Sequence, residues 1–269
     1  MRIARFASGD EVAYGIVEDQ GNGASGGQGA VVAQLHGHPF GTDPGSLRFT
    51  GARYPVTEVR LLAPVLPSKV IAVDDNYLGG PKDVDERQGS VEPVLFLKPS
   101  TSVVGPQDPI AYPAKITERI EHEGELAVII GRLCRDVPPH RAAEVIFGYA
   151  CANDVTARDL QERDVTWTRA KGFDTFCPLG PWIETDLDPG DLELITSVNG
   201  EVRQRARTSQ LRFGVPALIA YVSQIMTLLP GDVLLTGTPP GSGPMTDGDE
   251  VSVTIEGIGM LANRVVTRD

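Results

Sequence analysis

Two glutamates one residue apart, Glu123 and Glu125, stand directly ahead of the apolar run Leu126-Ala127-Val128-Ile129-Ile130. The apolar run predicts a strand, and residues two apart on a strand project to the same face, which sets the two carboxylates side by side. Carboxylates that close repel each other unless a proton or a cation lies between them. At the mouth of a buried strand the repulsion costs more, and a hard divalent ion resolves it. By itself the pair also fits ordinary surface, because Glu is mostly exposed. A third ligand has to come from elsewhere in the chain. The run Asn153-Asp154-Val155-Thr156-Ala157-Arg158-Asp159 places Asp154 after a small apolar segment, Tyr149 to Ala152. Three carboxylates on one ion leave about three open positions in octahedral geometry, which suits the two adjacent oxygens of a 2-oxo acid. Carboxylate-only ligation favours Mg²⁺, with Mn²⁺ and Ca²⁺ as alternatives, over zinc.

The elements that must position these groups are mostly strands. Arg2 to Ala7, Glu11 to Glu18 and Val31 to Leu35 read as strands of a small N-terminal β domain, residues 1–66, interrupted by the Gly-rich run 21–29. Pro64 and Pro67 bracket a linker, and residues 67–269 form the larger domain. There the sequence predicts a helix from Pro138 to Phe147, with Gly148 at its end. It predicts a second, amphipathic helix from Phe213 to Leu228, where Val215, Leu218, Ile219, Val222 and Met226 recur at helical spacing. Asn199-Gly200 signals a type I′ hairpin turn, and Val251, Val253 and Ile255 alternate as a half-buried strand does. The fold class is mixed α/β and strand-rich, without a regular βαβ series.

Composition narrows the partners. The chain has 24 Lys and Arg against 36 Asp and Glu, a net charge of −12, which repels phosphate backbones and argues against nucleic acid. No apolar run approaches the ~20 residues that cross a bilayer, so no membrane partner is expected. No signal-peptide core follows the N-terminus, and a cytoplasmic location is expected. Cys134, Cys151 and Cys177 are odd in number and widely spaced, which fits reduced thiols better than a disulfide framework or a zinc site.

The string Glu123-Gly124-Glu125-Leu126-Ala127-Val128-Ile129-Ile130-Gly131 resembles the metal-binding strand of the fumarylacetoacetate hydrolase superfamily. The resemblance continues through Gly148-Tyr149 and Asn153 to Gln161, then Trp167 to Pro181, and then Met226-Thr227-Leu228, Pro230-Gly231-Asp232 and Leu235 to Pro239. These motifs span about residues 69 to 266 in order. The resemblance implies a β-roll of mixed sheets with short helices, a homodimer, and one divalent cation on Glu123, Glu125 and Asp154. It implies a small-molecule carboxylate substrate of the 2-oxo, 2-hydroxy-dienoate or acylpyruvate type, and C–C hydrolysis, isomerisation or decarboxylation. Lys171 matches the lysine that reaches substrate beside the metal, where it stabilises an enolate, or shuttles a proton if burial and the cation lower its pKa. Gln161, Thr238 and Tyr77 match substrate-binding positions. Arg158 and Asp159 fit an ion pair holding the Asp154 loop, and His122 a packed residue rather than a ligand.

One segment departs from the pattern. Hydrolytic members carry Asn-Tyr, then His three residues later, then Glu three further on, and that His-Glu pair activates water. Here Asn76-Tyr77 match, Gly80 stands at the His position and Asp83 at the Glu position. General-base help to water is worth typically ~10²–10⁴-fold, and Gly80 supplies none. Proton-transfer chemistries lose less. Three readings stand: a metal-dependent enzyme on 2-oxo or 2-hydroxy-dienoate acids, working as isomerase, decarboxylase or C–C hydrolase, within which the missing His favours proton transfer; hydrolysis with a base from Asp83, Asp85, Glu86 or metal-bound water; and a non-catalytic homologue that binds metal and ligand.

Overall fold

The computed structural model describes residues 1–19, 29–41, 46–79 and 92–268. Nearly all of the Gly-rich run 21–29, together with Gly80, Asp83, Asp85 and Glu86, lies outside the described residues.

A long mixed sheet carries the structure. Its order runs Phe49–Pro55, Val31–Leu35, Glu11–Glu18, Arg2–Ser8, Cys177–Glu184, Ile146–Asn153, Gly124–Ile130, Val233–Leu235, Val70–Asp74 and Val94–Lys98. The N-terminal strands continue this sheet rather than closing one of their own, because Arg2 and Ile3 pair with Glu184 and Ile183. A five-stranded sheet holds Glu201–Arg207, Glu193–Val198, Glu250–Ile255, Gly259–Thr267 and Ile110–Tyr112. A three-stranded sheet joins Thr156–Ala157, Ile120–His122 and Gly243–Met245. The result is the strand-rich mixed α/β roll, with short helices, that the sequence implied.

The strand Gly124–Ile130 is buried along its whole length because both faces are covered. Leu126, Val128 and Ile130 pack with Leu218, Ile219 and Val222 of the helix Val215–Ile225 and with Leu194 and Val253 of the five-stranded sheet. Ala127 and Ile129 face the other way, onto Val70, Ala72, Cys177 and Leu179. Each buried Val, Leu or Ile contributes roughly 1.5–3 kcal/mol, so this strand is a rigid mount for what precedes it. Among the described residues, no helix is long and apolar enough to cross a membrane.

The segment predicted as a helix from Pro138 to Phe147 is different in the structure. Only Pro139–Glu144 is helical, as a 3-10 turn, and Ile146 already opens the strand Ile146–Asn153. Gly148 is a strand residue and caps no helix. A Cβ there would lie 2.5 Å from the Glu184 carbonyl oxygen, so glycine is required by the close approach of the neighbouring strand. The hairpin turn at Asn199-Gly200 has the two positive φ angles, 51° and 79°, that a type I′ turn demands.

Candidate metal centre

The triad forms where the chain changes sheets. Ile120–His122 belongs to the three-stranded sheet and Gly124–Ile130 to the large one, and Glu123 is the residue between them. The pair is therefore not carried on one continuous strand, as the sequence suggested. Glu125 is on the strand, while Glu123 is aimed by the break. Gly124 permits the crossing, because a Cβ there would lie 1.9 Å from Thr196 Oγ1. The break is pinned from the next strand: Asp154 N–H donates to the Glu123 carbonyl at 2.8 Å, and Glu123 N–H donates to Asn153 Oδ1 at 2.9 Å. Those two bonds also place Asp154, at the end of Ile146–Asn153, against the glutamates. One carboxylate oxygen from each of Glu123, Glu125 and Asp154 lies within 4.8 Å of the others, and all three residues are buried.

Cations surround the triad. Lys171 Nζ donates to Glu123 Oε2 and Asp154 Oδ2, both at 2.7 Å, and sits 4.8 Å over the Phe96 ring. Lys98, at the end of the edge strand Val94–Lys98, donates to Asp154 Oδ1 at 2.6 Å and to the Val155 carbonyl at 3.3 Å. Arg158 pairs with Glu123 and, through Nε, with Glu121 at 2.8 Å. Arg119 binds Glu121 at 2.7 Å. Among the described residues no cation pairs with Glu125; its Oε2 accepts the Gly237 N–H at 2.6 Å. Gly237 has φ +97°, and a Cβ there would lie 2.7 Å from Asn76 Cβ, so this amide is delivered by a glycine the geometry requires.

The electrostatics follow from that distribution. Burial, then the neighbouring Asp154 and Glu123 charges, push the Glu125 carboxyl well above the usual glutamate range. Burial alone would raise Asp154 as well, but the ammonium groups of Lys171 and Lys98 hold it below its ordinary value. Burial would lower Lys171, yet Asp154 and Glu123 more than offset this and raise it. Lys171 is therefore an ammonium in this arrangement, whereas its role as a proton shuttle was tied in the sequence reading to a lowered value. Arg158 and Arg119 hold Glu121 down against its burial. The all-oxygen donor set of the buried triad fits a hard divalent cation.

The triad opens into a cavity of about 530 Å³. Lys171, Gln161, Thr238 and Tyr77 all line it, together with Phe96 and Trp167, whose rings meet edge to face at 5.5 Å. Gln161 accepts from Arg158 through its side-chain oxygen. The Thr238 hydroxyl donates to the Gly124 carbonyl at 2.9 Å and accepts from Gln204 at 2.8 Å, so its proton is already committed inside the protein. Tyr77 is buried, and its hydroxyl finds no partner among the described residues. Burial and the Glu125 charge raise its pKa, so it stays a neutral donor. Its backbone is fixed by Asn76, whose side chain bonds the Phe213 N–H and the carbonyls of Phe213 and Thr236 at 2.8–3.0 Å. Arg158 and Asp159 do not pair with each other: Asp159 accepts from Thr117 and the Glu118 N–H. His122 is buried beside Gln204 at 3.3 Å, outside the triad.

Lys98, Gln204 and the Phe96–Trp167 wall were not singled out from sequence. Lys98 ends an edge strand just before Pro99, where a lysine reads as solvent-facing, and only the fold shows it turned inward.

Residues 69–266 match the family model described as fumarylacetoacetate (FAA) hydrolase C-terminal, and residues 1–64 match one described as Rv2993c-like, N-terminal. The chain belongs to the fumarylacetoacetate hydrolase family. A solved structure of 5-carboxymethyl-2-hydroxymuconate delta-isomerase from Mycobacterium smegmatis is 53% identical, covers 100% of both chains and superposes with a TM-score of 0.90. The mitochondrial oxaloacetate tautomerase FAHD1 of Bos taurus is 42% identical over 70% of this chain and 87% of its own length. Maleylpyruvate hydrolase from Sphingobium sp. SYK-6, solved with manganese(II) and pyruvate, is 33% identical over 100% of both chains, with a TM-score of 0.77. Family membership and the buried triad together make this chain a metal-dependent enzyme.

Proposed function

We propose that this family member catalyses proton transfer on a 2-oxo or 2-hydroxy-dienoate acid, as a keto–enol tautomerase or double-bond isomerase. The observation that carries the reading is the buried Lys171 ammonium, bound to two triad carboxylates and facing the cavity, in a chain with glycine where hydrolytic relatives place the water-activating histidine. Glu123, Glu125 and Asp154 are the proposed ligands of one divalent cation, Mg²⁺ in the first instance. When bound, the cation supplies an electron sink for the substrate's adjacent oxygens. Lys171 stabilises the enolate oxygen through its ammonium. Tyr77 offers its hydroxyl to a substrate oxygen, and Gln161 and the Thr238 turn orient the carboxylate. Phe96 and Trp167 keep that side of the cavity apolar and strengthen the charges within it.

Asp83 is the proposed proton acceptor. It stands six residues after Tyr77, where the resemblance places the family's glutamate, and returns to the substrate the proton it takes. The delta-isomerase and tautomerase activities named for two relatives support proton transfer, and the pyruvate named for the third supports the substrate class. The assembly we propose is a homodimer, to be checked by light scattering.

The deciding experiment is solvent deuterium exchange at C3 of oxaloacetate and of acylpyruvates, followed by NMR with Mg²⁺. Exchange that needs the metal and is lost in Lys171→Ala supports the reading, and loss in Asp83→Ala assigns the acceptor. Release of pyruvate and a free carboxylic acid from an acylpyruvate would return the chain to the hydrolases.

A further inference from the structure

One buried side chain is out of keeping with its strand. Glu201–Arg207 is an edge strand of the five-stranded sheet, and within it Gln204 alone is fully buried, at 1% exposure, while Val202 is exposed. Burying an amide costs free energy unless its polar atoms are bonded. An apolar residue would serve packing better, so the burial of Gln204 is explained by the bonds it makes.

Both ends of the amide are fully used. Nε2 donates to Thr238 Oγ1 at 2.8 Å and to the Pro239 carbonyl at 2.7 Å. Oε1 accepts the Gly124 N–H at 3.0 Å and lies 3.3 Å from His122 Nδ1. Turning the amide over would set its oxygen against the Pro239 carbonyl and its NH₂ against the Gly124 N–H, so one orientation is fixed.

These bonds join two parts of the site. Gly124 stands between the proposed ligands Glu123 and Glu125; Gln204 holds its N–H and the Thr238 hydroxyl holds its carbonyl. Thr196, paired with Gln204 across the sheet, also packs on Gly124. Thr238, Pro239, Pro240 and Ser242 line the cavity, whereas Gln204 is absent from that lining. Their turn begins at Gly237, whose N–H bonds Glu125, and ends at Gly243, which pairs with His122. Its middle rests on the strand of Gln204, where a Cβ on Gly241 would meet the Arg203 carbonyl at 2.3 Å.

We infer that Gln204 is a positioning residue that braces the Thr238–Pro239 turn against the chain break at Glu123, so that the metal ligands and the turn receiving the substrate carboxylate are held as one unit. The inference rests on the metal and Thr238 readings above and deepens them. Gln204 acts through Gly124 and Thr238 and touches neither ion nor substrate.

The test uses the full chain and two readouts: Mn²⁺ binding by electron paramagnetic resonance, and oxalate binding to the Mn²⁺-loaded protein as a probe for the carboxylate end of a 2-oxo acid. Gln204→Met keeps the length and removes every bond of the amide. It should weaken both Mn²⁺ and oxalate by about tenfold or more, as the loss of several buried hydrogen bonds implies. Thr238→Val cuts the turn's side of the brace and should weaken oxalate. In the double variant oxalate should bind no more weakly than in the weaker single one, because both changes break the same link. A merely structural glutamine would lower thermal stability and leave the Mn²⁺ and oxalate affinities of the folded protein at wild-type values. That result, or effects that add in the double variant, overturns the inference. Where Gln204→Met does not fold, Gln204→Asn replaces it: the amide stays but is one methylene too short to span both sides, and wild-type affinities there overturn the inference too. Wild type that binds Mn²⁺ but not oxalate overturns this inference alone, and wild type that binds neither overturns it together with the metal reading. The expected affinities without deuterium exchange into any 2-oxo acid would uphold the brace and refute the proton-transfer reading.

Discussion

Lys171→Met tests the centre most directly, because methionine keeps the stem that packs on Phe96 and deletes only the charge. The ammonium makes two buried ion pairs, with Glu123 and Asp154. Stranding a partner of a buried ion pair costs about 3–5 kcal/mol. Here the stranded groups keep other cations, Arg158 on Glu123 and Lys98 on Asp154, so the metal-free loss should be nearer 2–3 kcal/mol. For a chain of this size that is a fall in Tm of roughly 4–12 °C. A divalent ion between the same carboxylates replaces the missing charge, and at about 100 times its Kd it returns ~2.7 kcal/mol. Thermal unfolding should therefore show a variant weaker than wild type without metal, and the gap should narrow with Mg²⁺ as far as the variant binds the ion more tightly than wild type does. Deuterium exchange into the substrate should fall by about 10²–10⁴-fold even in the metal-loaded variant. A variant as stable as wild type without metal, or one that exchanges deuterium at the wild-type rate, would falsify the placement of Lys171 at the centre.

Other consequences follow from the same geometry. Replacing Glu123 and Glu125 together by Ala should abolish Mn²⁺ binding and turnover while circular dichroism still reports a strand-rich fold; retained stoichiometric Mn²⁺ would remove them as ligands. Glu125 is held well above the usual glutamate range in the metal-free protein, so below that raised value it carries a proton that an incoming ion must expel. Metal affinity should thus fall as pH is lowered, with proton release growing in parallel. Calorimetry in two buffers of different ionisation enthalpy measures this, and a pH-independent affinity with no proton release would contradict it. Gly124→Ala puts a Cβ 1.9 Å from Thr196 Oγ1, so it should destabilise by more than about 3 kcal/mol or shift the Glu123 break enough to lose metal. Chemical denaturation and Mn²⁺ titration of that variant separate the two effects, and a wild-type result in both would show that the break has room to give.

The sequence alone was enough to find the triad, the helix Val215–Ile225, the hairpin at Asn199-Gly200 and the alternating strand at 250–255. Each of these is specified locally: carboxylates against an apolar run, a 3.6-residue period, a dipeptide that accepts two positive φ angles, and a two-residue period. The local signal failed at Pro138 to Phe147. Prolines ahead of a Gly imitate a helix with its cap, whereas Gly148 is dictated by a neighbouring strand at residue 184, far away in the sequence. For the same reason sequence could name Glu123 and Glu125 without showing that the chain changes sheets between them. Only the folded chain brings Lys98 beneath Asp154 from 56 residues away, sets Lys171 between Glu123 and Asp154, and turns the Tyr77 ring to the cavity wall. Residue types and spacing determine which groups can do chemistry. The charge state and direction of each group depend on what lies within a few ångströms in a desolvated interior, and those neighbours come from sheet pairing rather than from adjacency along the chain.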